Sequence, residues 1–307
     1  MTTAATATAT ATVPRRAVFL LIALTVVWGT NWPLFPYAVR EVSVWTFRGV
    51  AMFGAGAALL LFARMRGVPL TVPRRYWKTV VLATFFYLVI WNVASTYAAV
   101  LIPSGQAAVL GFTMPLWGAL IALAVLGERL NTRLLLAVGL GGIGVTLLMV
   151  PSFQAYAEAP LGLATGLLSA IGWAIGTLIL KRGNVQVPVL VLTGWQLVLG
   201  SIPISIVALA IADGPWFVPS WQSIAVITWI ALVPMCIGNV CWFAIVGLLP
   251  ANVAGLSSVM VPVVAMVSGA IVHGEPLGVL QLVSMVSCVV ALVLVLGQKT
   301  RAPAGDG

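Results

Sequence analysis

The residues that could do chemistry in this chain are few, and they lie inside long apolar stretches. Arg48 falls about one turn into such a stretch, with no Asp or Glu evident at the same depth, and Asn92 and Asn239 lie inside two others. A guanidinium suits a carboxylate, and an amide offers both hydrogen-bond donors and an acceptor. These residue types indicate that the protein binds a small polar molecule.

The sequence offers no reaction centre to go with them. Its single histidine, His273, has no nucleophile motif, and no Asp or Glu lies in the middle of an apolar stretch, so paired acids are missing too. Cys236, Cys241 and Cys288 have no metal-ligand spacing. We therefore expect no enzyme, no metal and no cofactor. The intramembrane enzyme remains the alternative from another class.

Aromatic residues deep in the apolar stretches supply a second set of candidates. A tryptophan in mid-membrane needs a partner for its indole N–H, so it suits the wall of an amphipathic cavity, although packing against neighbouring helices explains each one equally well. The residues predicted to contact substrate are Trp28, Asn31, Arg48, Tyr87, Trp91, Asn92, Trp117, Trp173, Asn239 and Trp242.

Two alternatives stay open for the polar candidates. Arg48 could instead pair with Glu41 or backbone carbonyls, or extend to the membrane surface. Asn92 and Asn239 could form hydrogen bonds within the protein, because an amide in hydrocarbon must find partners.

Composition places these residues in a lipid bilayer. Hydrophobic residues make up 62% of the chain and charged residues 7%, with a mean hydropathy of +1.14, whereas soluble domains are roughly 25% charged. The net charge of +9 comes from short basic clusters between apolar stretches, which does not suggest a nucleic-acid partner. The sequence therefore predicts an all-α membrane protein.

The apolar stretches divide into ten spans, called spans 1 to 10 below. A spanning helix needs roughly 20 apolar residues. The predicted spans are 17–38, 44–63, 79–101, 104–126, 132–150, 160–180, 189–211, 222–248, 252–272 and 277–297.

The basic residues orient these spans. All of the 15 basic residues except Arg40 and Arg48 then fall in clusters on one side of the membrane. Cytoplasmic loops carry the excess of Lys and Arg, so both termini are predicted to be cytoplasmic. The low-complexity residues 1–16 and residues 299–307 are predicted to be cytoplasmic tails, the first of them disordered.

A repeat with a constant offset of 147 residues relates the two halves of the chain. Asn92-Val93, Pro103, Pro115 and Gly127-Glu128-x-Leu130 return as Asn239-Val240, Pro250, Pro262 and Gly274-Glu275-x-Leu277. Because each copy holds five spans, an odd number, the second copy must be inverted in the membrane. We predict one five-helix repeat in 17–150 and an inverted one in 151–298.

Pro115 and Pro262 then fall at matched mid-span positions. A proline there removes a backbone hydrogen bond and bends the helix. The pair is interpreted as hinges, with a fixed packing kink as the alternative for each.

These features resemble the drug/metabolite transporter superfamily, in its EamA-type branch. The resemblance rests on the ten spans, the early Trp28-Gly29-Thr30-Asn31 stretch answered by Trp173-Ala174, Arg48 in span 2, and Pro-x11-Pro-x11-Gly-Glu-x-Leu in both halves. It implies a basket of helices around a central cavity and alternating access. It also implies cavity or hinge roles for Trp28, Asn31, Arg48, Asn92, Pro115, Asn239 and Pro262.

Within that branch, the aromatic-rich spans look most like bacterial inner-membrane exporters of aromatic and other neutral amino acids. The expected function is therefore export of such amino acids and related metabolites across the inner membrane. Efflux of organic cations or another small metabolite is the alternative, followed by a channel. The expected partners are a small-molecule substrate and the lipid bilayer, and a monomer is compatible with this architecture.

Overall fold

The computed structural model describes residues 15–126, 153–211, 219–248 and 260–275, together with 139, 143, 146, 150, 277–279, 282, 283 and 286. All regular structure within these residues is helical, and six of the helices are long and apolar enough to cross a membrane. The all-α membrane fold is confirmed. Spans 5 and 10 lie almost wholly outside the described residues, so the number ten stays a prediction.

Each of the other eight predicted spans contains helix. Span 1 is Arg15–Gly29, a 3-10 turn Trp32–Leu34 and a short helix Phe35–Ala38; span 2 is Val44–Met65. Span 3 is Trp77–Thr84, Phe85–Ile90 and Trp91–Leu101, after a 3-10 turn Arg74–Tyr76; span 4 is Ser104–Gly111 and Met114–Leu126. A short helix Phe153–Glu158 precedes span 6, Pro160–Gly183, and span 7 is Val189–Ala210. Span 8 is Trp221–Ile230, Ala231–Gly238 and Asn239–Leu248, and span 9 is described over Met260–His273.

Spans 3 and 8 share a backbone irregularity. Phe85–Ile90 and Ala231–Gly238 are π-helical, and the 147-residue offset superimposes them. A π turn breaks the regular ladder of i to i−4 bonds, and hydrocarbon cannot satisfy the carbonyls that it releases. An amide beyond each segment donates to a carbonyl within it: Asn92 Nδ2 donates to Leu88 O at 2.8 Å, beside the backbone N–H of Trp91, and Asn239 Nδ2 donates to Met235 O at 2.5 Å. The repeat thus conserves a distorted turn together with its partner side chain.

Span 4 is broken one turn above its proline. Helix Ser104–Gly111 ends before Phe112 and Thr113, and Pro115 is in the first turn of Met114–Leu126. A proline has no N–H for the carbonyl four residues earlier and collides with that carbonyl, so the break falls just before Pro115. In span 9, Pro262 is buried near the beginning of Met260–His273. Whether either proline acts as a hinge stays a prediction.

The two halves exchange their first helices. Span 6 of the second half packs on spans 3 and 4 of the first, while span 1 packs on spans 8 and 9, and spans 2 and 7 cross each other. Glycines allow these contacts. A Cβ on Gly172 would lie 2.9 Å from Phe86 O, and a Cβ on Gly176 would lie 2.6 Å from the backbone N of Tyr87. Each half is therefore incomplete without the other.

Polar contacts join the halves at the end of the bundle where span 4 begins, called here the Ser104 end. Glu275 Oε1 accepts hydrogen bonds from Ser104 N and Ser104 Oγ, both at 2.8 Å, and Glu275 Oε2 accepts one from Gly105 N at 3.2 Å. A carboxylate at a helix N-terminus satisfies amides that have no intrahelical partner. The repeated Gly-Glu motif therefore caps, in its second copy, a helix of the first half.

Three more contacts close the Ser104 end. His273 Nε2 lies 2.7 Å from Pro33 O, and its ring stacks on Tyr37 with centroids 5.2 Å apart. Glu41 Oε2 accepts a hydrogen bond from Ser220 N at 2.8 Å. That bond, with bonds from the Ser223 and Ser220 hydroxyls, lowers the pKa of Glu41 below its ordinary value. These contacts tie spans 1 and 2 to spans 8 and 9.

The glycine contacts give a test of the exchanged packing. Gly176→Ala should lower the free energy of unfolding in detergent by about 1–3 kcal/mol, because the new methyl group forces span 6 away from Tyr87. Gly54→Ala in span 2 is the matched control, since a Cβ there meets nothing within 4 Å. Equal unfolding temperatures for the two variants would contradict the packing described for span 6.

Candidate functional site

A cavity lies at the centre of the bundle, where residues of both halves converge. Its volume is about 70 Å³, against about 300–1,000 Å³ for pockets that hold small molecules. A ligand of metabolite size therefore requires the walls to move apart. The cavity is lined by Trp28, Asn31, Trp32, Phe35, Arg48, Leu88, Trp91, Asn92, Ser95, Phe112, Met114, Trp173, Leu197, Pro234, Met235 and Asn239.

Arg48 contributes the cation of this cavity. Its side chain is 2% exposed, so it does not extend to the membrane surface. Its Nε donates to Thr96 Oγ1 at 2.5 Å, and its guanidinium carbon lies 4.3 Å from the ring centre of Phe35 and 4.7 Å from that of Phe47. Helix Val44–Met65 places it one turn from the Ser104 end.

The terminal nitrogens of Arg48 are free to bind a ligand. Within the described residues, Nη1 and Nη2 donate no hydrogen bond and no carboxylate pairs with the guanidinium. Glu41, the alternative partner raised by the sequence, bonds to Ser220 instead. Thr96 orients the guanidinium, because its hydroxyl also donates to Asn92 O at 2.7 Å. A buried cation without a counter-ion is costly, so the geometry suits an anionic ligand group.

Asn31 is the second polar residue of the cavity with unused hydrogen-bonding capacity. It follows helix Arg15–Gly29 and precedes the 3-10 turn Trp32–Leu34, yet its side chain does not cap that turn. Its Oδ1 is buried without a hydrogen-bond partner. Its Nδ2 likewise donates to no atom in the described part of the chain. The amide can therefore turn toward a ligand without breaking a bond.

Tryptophans from both halves form the walls. Trp91 and Trp173 have ring centroids 4.7 Å apart, and Trp28 lies 6.3 Å from Trp173 in an edge-to-face arrangement. Trp28 Nε1 donates to Pro234 O at 3.1 Å, a carbonyl in the π-helical segment of span 8. Because Trp28 and Pro234 belong to opposite halves of the sequence, this bond joins the two repeats at the cavity wall.

Seven of the ten residues predicted to contact substrate line this cavity. They are Trp28, Asn31, Arg48, Trp91, Asn92, Trp173 and Asn239. The amides of Asn92 and Asn239 are partly committed, since each bonds a carbonyl of its own span.

The other three predicted residues lie outside the lining of this cavity, and their contact with substrate stays a prediction. Tyr87 is buried behind Trp173, with ring centroids 4.2 Å apart. Trp117 donates its indole N–H to Thr113 Oγ1 at 3.1 Å, one turn back in its own span. Trp242 packs on the far side of Trp28, 5.8 Å away, against the cluster that contains Leu21. In each case, helical position alone could not separate a cavity wall from the layer behind it.

Five aromatic and sulfur-containing lining residues were missed by the sequence analysis: Trp32, Phe35, Phe112, Met114 and Met235. Trp32 and Phe35 belong to the turn and short helix after Asn31, and Phe112 and Met114 flank the break in span 4. Trp32 contacts Trp91 and Phe112, with ring centroids 6.2 Å away in both cases. The 3-10 turn after Asn31 could not be read from the sequence, so helical spacing gave no signal for these residues.

A second cavity adjoins the first on the side away from the Ser104 end. It has a volume of about 290 Å³ and is lined by Leu59, Phe62, Val189, Leu190, Thr193, Asn239, Val240 and Ala244. Asn239 lines both cavities. The second cavity lies between spans 2, 7 and 8 and is almost wholly apolar, and Phe62, Val189 and Val240 of its lining are exposed on the outside of the bundle.

Replacing Trp28 tests the wall that joins the halves. Trp28→Phe should lower the free energy of unfolding by about 1 kcal/mol, because the ring stays while Pro234 O loses its donor. Trp28→Ala should lower the free energy of unfolding further, since it also removes the ring that packs on Trp173. Unfolding in detergent measures both, with membrane insertion unchanged. Equal stability of the two variants would contradict the wall contact.

Comparison with known proteins places this geometry in a family. The chain is 23% identical to the uncharacterized transporter YvbV of Bacillus subtilis, over 91% of each protein. It is 25% identical to a probable amino-acid metabolite efflux pump of Salmonella typhimurium, over 94% of this chain and 98% of that one. It is 28% identical to the uncharacterized inner membrane transporter YedA of Escherichia coli, over 92% of each.

The fold is also similar to a solved crystal structure, with a TM-score of 0.70 and 17% identity over 91% of this chain and 96% of that chain. The sequence profile of the EamA-like transporter family matches two segments of the chain, residues 15–150 and 160–297. The two matches correspond to the two repeats that the 147-residue offset predicts. The chain is therefore a member of the EamA-like transporter family, with two copies of the family's unit.

Proposed function

We propose that this protein exports amino acids, aromatic and other neutral ones, and related metabolites across the bacterial inner membrane. Transport proceeds by alternating access, in which the two inverted halves rock about the central cavity, and both termini lie in the cytoplasm. One observation carries the proposal: the buried guanidinium of Arg48 presents its terminal nitrogens, unpaired within the described residues, to a cavity walled by aromatic rings. A carboxylate with an apolar or aromatic side chain complements both features.

The same cation makes the alternative substrates less suitable. An organic cation would find aromatic walls, but it would also meet the like charge of Arg48 in a low-dielectric site. A channel would need a continuous path, whereas the central cavity holds about 70 Å³ and the Ser104 end is closed by contacts between the halves. Two related proteins are named probable amino-acid metabolite efflux pumps, which supports the carboxylate reading.

The predicted topology assigns each end of the bundle to one side of the membrane. The Ser104 end faces the periplasm, and the second cavity between spans 2, 7 and 8 faces the cytoplasm. An exporter must load from the cytoplasm, so a closed Ser104 end beside an inner cavity corresponds to the loading side of the cycle. Release requires the bonds of Glu275 to Ser104 and Gly105 to break.

Glu275 therefore offers a test of access to the periplasm. In a background that lacks the native cysteines, Ser95→Cys places a thiol at the central cavity. Glu275→Gln should raise the rate at which an impermeant thiol reagent modifies it from outside by about tenfold, because a charge-assisted cap is lost. Ser104→Ala, which removes only one of the three donors, should give a smaller increase. Unchanged rates in both variants would contradict the role of this contact.

Replacement of Arg48 tests the proposed function itself. Purified protein in liposomes loaded with unlabelled L-phenylalanine should accumulate the labelled amino acid by counterflow. Arg48→Gln should reduce the initial rate by at least about tenfold, since a hydrogen bond to a charged group contributes about 1.5–3 kcal/mol. Arg40→Gln is the matched control, because Arg40 is exposed at the Ser104 end.

Two results would overturn the proposal. One is an absence of wild-type counterflow across a panel of neutral amino acids. The other is undiminished counterflow by a correctly folded Arg48→Gln variant. Repeating the assay with and without a pH gradient would also show whether proton movement drives export.

A further inference from the structure

We propose that Asn31 binds the α-ammonium group of the substrate and that Asn31 and Arg48 together restrict transport to zwitterionic α-amino acids. This inference rests on the proposed function and narrows it, because it excludes related carboxylates that lack the amine. It also gives separate roles to two residues of one cavity.

The first observation is a difference between the three asparagines of the cavity. Asn92 and Asn239 each donate Nδ2 to a carbonyl of a π-helical segment, which explains their places in the repeat. Asn31 makes no such bond: its Oδ1 is buried and unpartnered, and its side chain leaves the following 3-10 turn uncapped. A buried polar group without a partner is unfavourable, so this amide has capacity that only a ligand can use.

The second observation is the position of Asn31 relative to Arg48. Asn31 has helical backbone angles, φ −74° and ψ −33°, and the helical course continues through Phe35. Asn31, Phe35 and Arg48 line one cavity of only about 70 Å³. The guanidinium of Arg48 stacks on that ring at 4.3 Å. The two polar groups therefore face one small cavity, where a single ligand can reach both.

The chemistry of the two groups is complementary. A guanidinium only donates hydrogen bonds, and so does an ammonium, so an ammonium beside Arg48 needs an acceptor from another residue. The amide oxygen of Asn31 supplies this acceptor. The last side-chain torsion of an asparagine has a broad range of allowed angles, and turning the Asn31 amide breaks no hydrogen bond. Trp32 and Trp91, whose ring centroids lie 6.2 Å apart in an edge-to-face arrangement at the cavity, offer π surface that attracts the same cationic group.

The site therefore has two polar parts, the cationic guanidinium of Arg48 and the neutral hydrogen-bond acceptor of Asn31. A carboxylate without an amine leaves the Asn31 oxygen unpaired, and an amine without a carboxylate meets Arg48 uncompensated. A site built for a hydrogen bond rejects an analogue that lacks the matching group more strongly than an apolar pocket rejects a change in size. Recognition of both poles therefore selects the class, and the aromatic walls accept a range of side chains.

Competition in the counterflow assay tests this assignment. Labelled L-phenylalanine is the substrate, and the competitors are 3-phenylpropanoate, which lacks the amine, and phenethylamine, which lacks the carboxylate. Both should compete about tenfold or more weakly than L-phenylalanine in the wild-type protein. Asn31→Ala should raise the half-saturating L-phenylalanine concentration about tenfold, while the inhibition constant of 3-phenylpropanoate changes by less than about threefold. Arg48→Gln should weaken the binding of both L-phenylalanine and 3-phenylpropanoate.

The contrary outcomes are distinct from one another. If Asn31→Ala weakens the binding of L-phenylalanine and 3-phenylpropanoate by the same factor, or changes neither, the assignment of Asn31 to the ammonium group is wrong. The proposed export function is unaffected by that result. If the wild-type protein shows no counterflow above protein-free liposomes, the proposed function fails and this inference fails with it. Asn31→Ser, which keeps a small acceptor, should fall between wild type and Asn31→Ala, and it decides the question if the alanine variant does not fold.

Discussion

The charge of Arg48, held at the centre of an apolar bundle, is the constraint around which the rest of the cavity is arranged. One nitrogen is fixed by Thr96, two phenyl rings cover the guanidinium, and its terminal nitrogens bond to nothing in the described residues. Such a charge is unfavourable in a membrane unless a partner arrives. Binding of an anionic group therefore supplies free energy at the place where both halves meet, which is where a carrier can use it to change conformation.

The exchange of first helices makes that cavity a shared structure. Span 1 packs on the second half and span 6 packs on the first. Glycines at these contacts let the helices approach more closely than any larger residue would allow. The wall of the cavity then contains contacts between halves, such as Trp28 with Pro234. The Ser104 end is held in the same manner by Glu275. In the alternating access that we propose, rocking one half against the other would couple the cavity to the Ser104 end.

Much of the fold and part of the site could be predicted from the sequence. Uncommon residues in an aliphatic background revealed the repeat, and the scarcity of charge revealed the membrane. Arg48 stood out because lipid makes a buried cation exceptional. Sequence could not show that Asn92 satisfies a π-helical carbonyl while Asn31 satisfies nothing, because both are asparagines in apolar stretches. Nor could it place Tyr87 behind Trp173, since that depends on how span 6 packs across the repeat.

A structure of the protein with a neutral amino acid bound, determined in lipid, tests the central claim most directly. The account predicts the ligand's carboxylate within hydrogen-bond distance of the terminal nitrogens of Arg48, its side chain among Trp28, Trp91 and Trp173, and a cavity larger than the present one. A ligand bound elsewhere in the bundle, or bound in this cavity with its carboxylate turned away from Arg48, would contradict it.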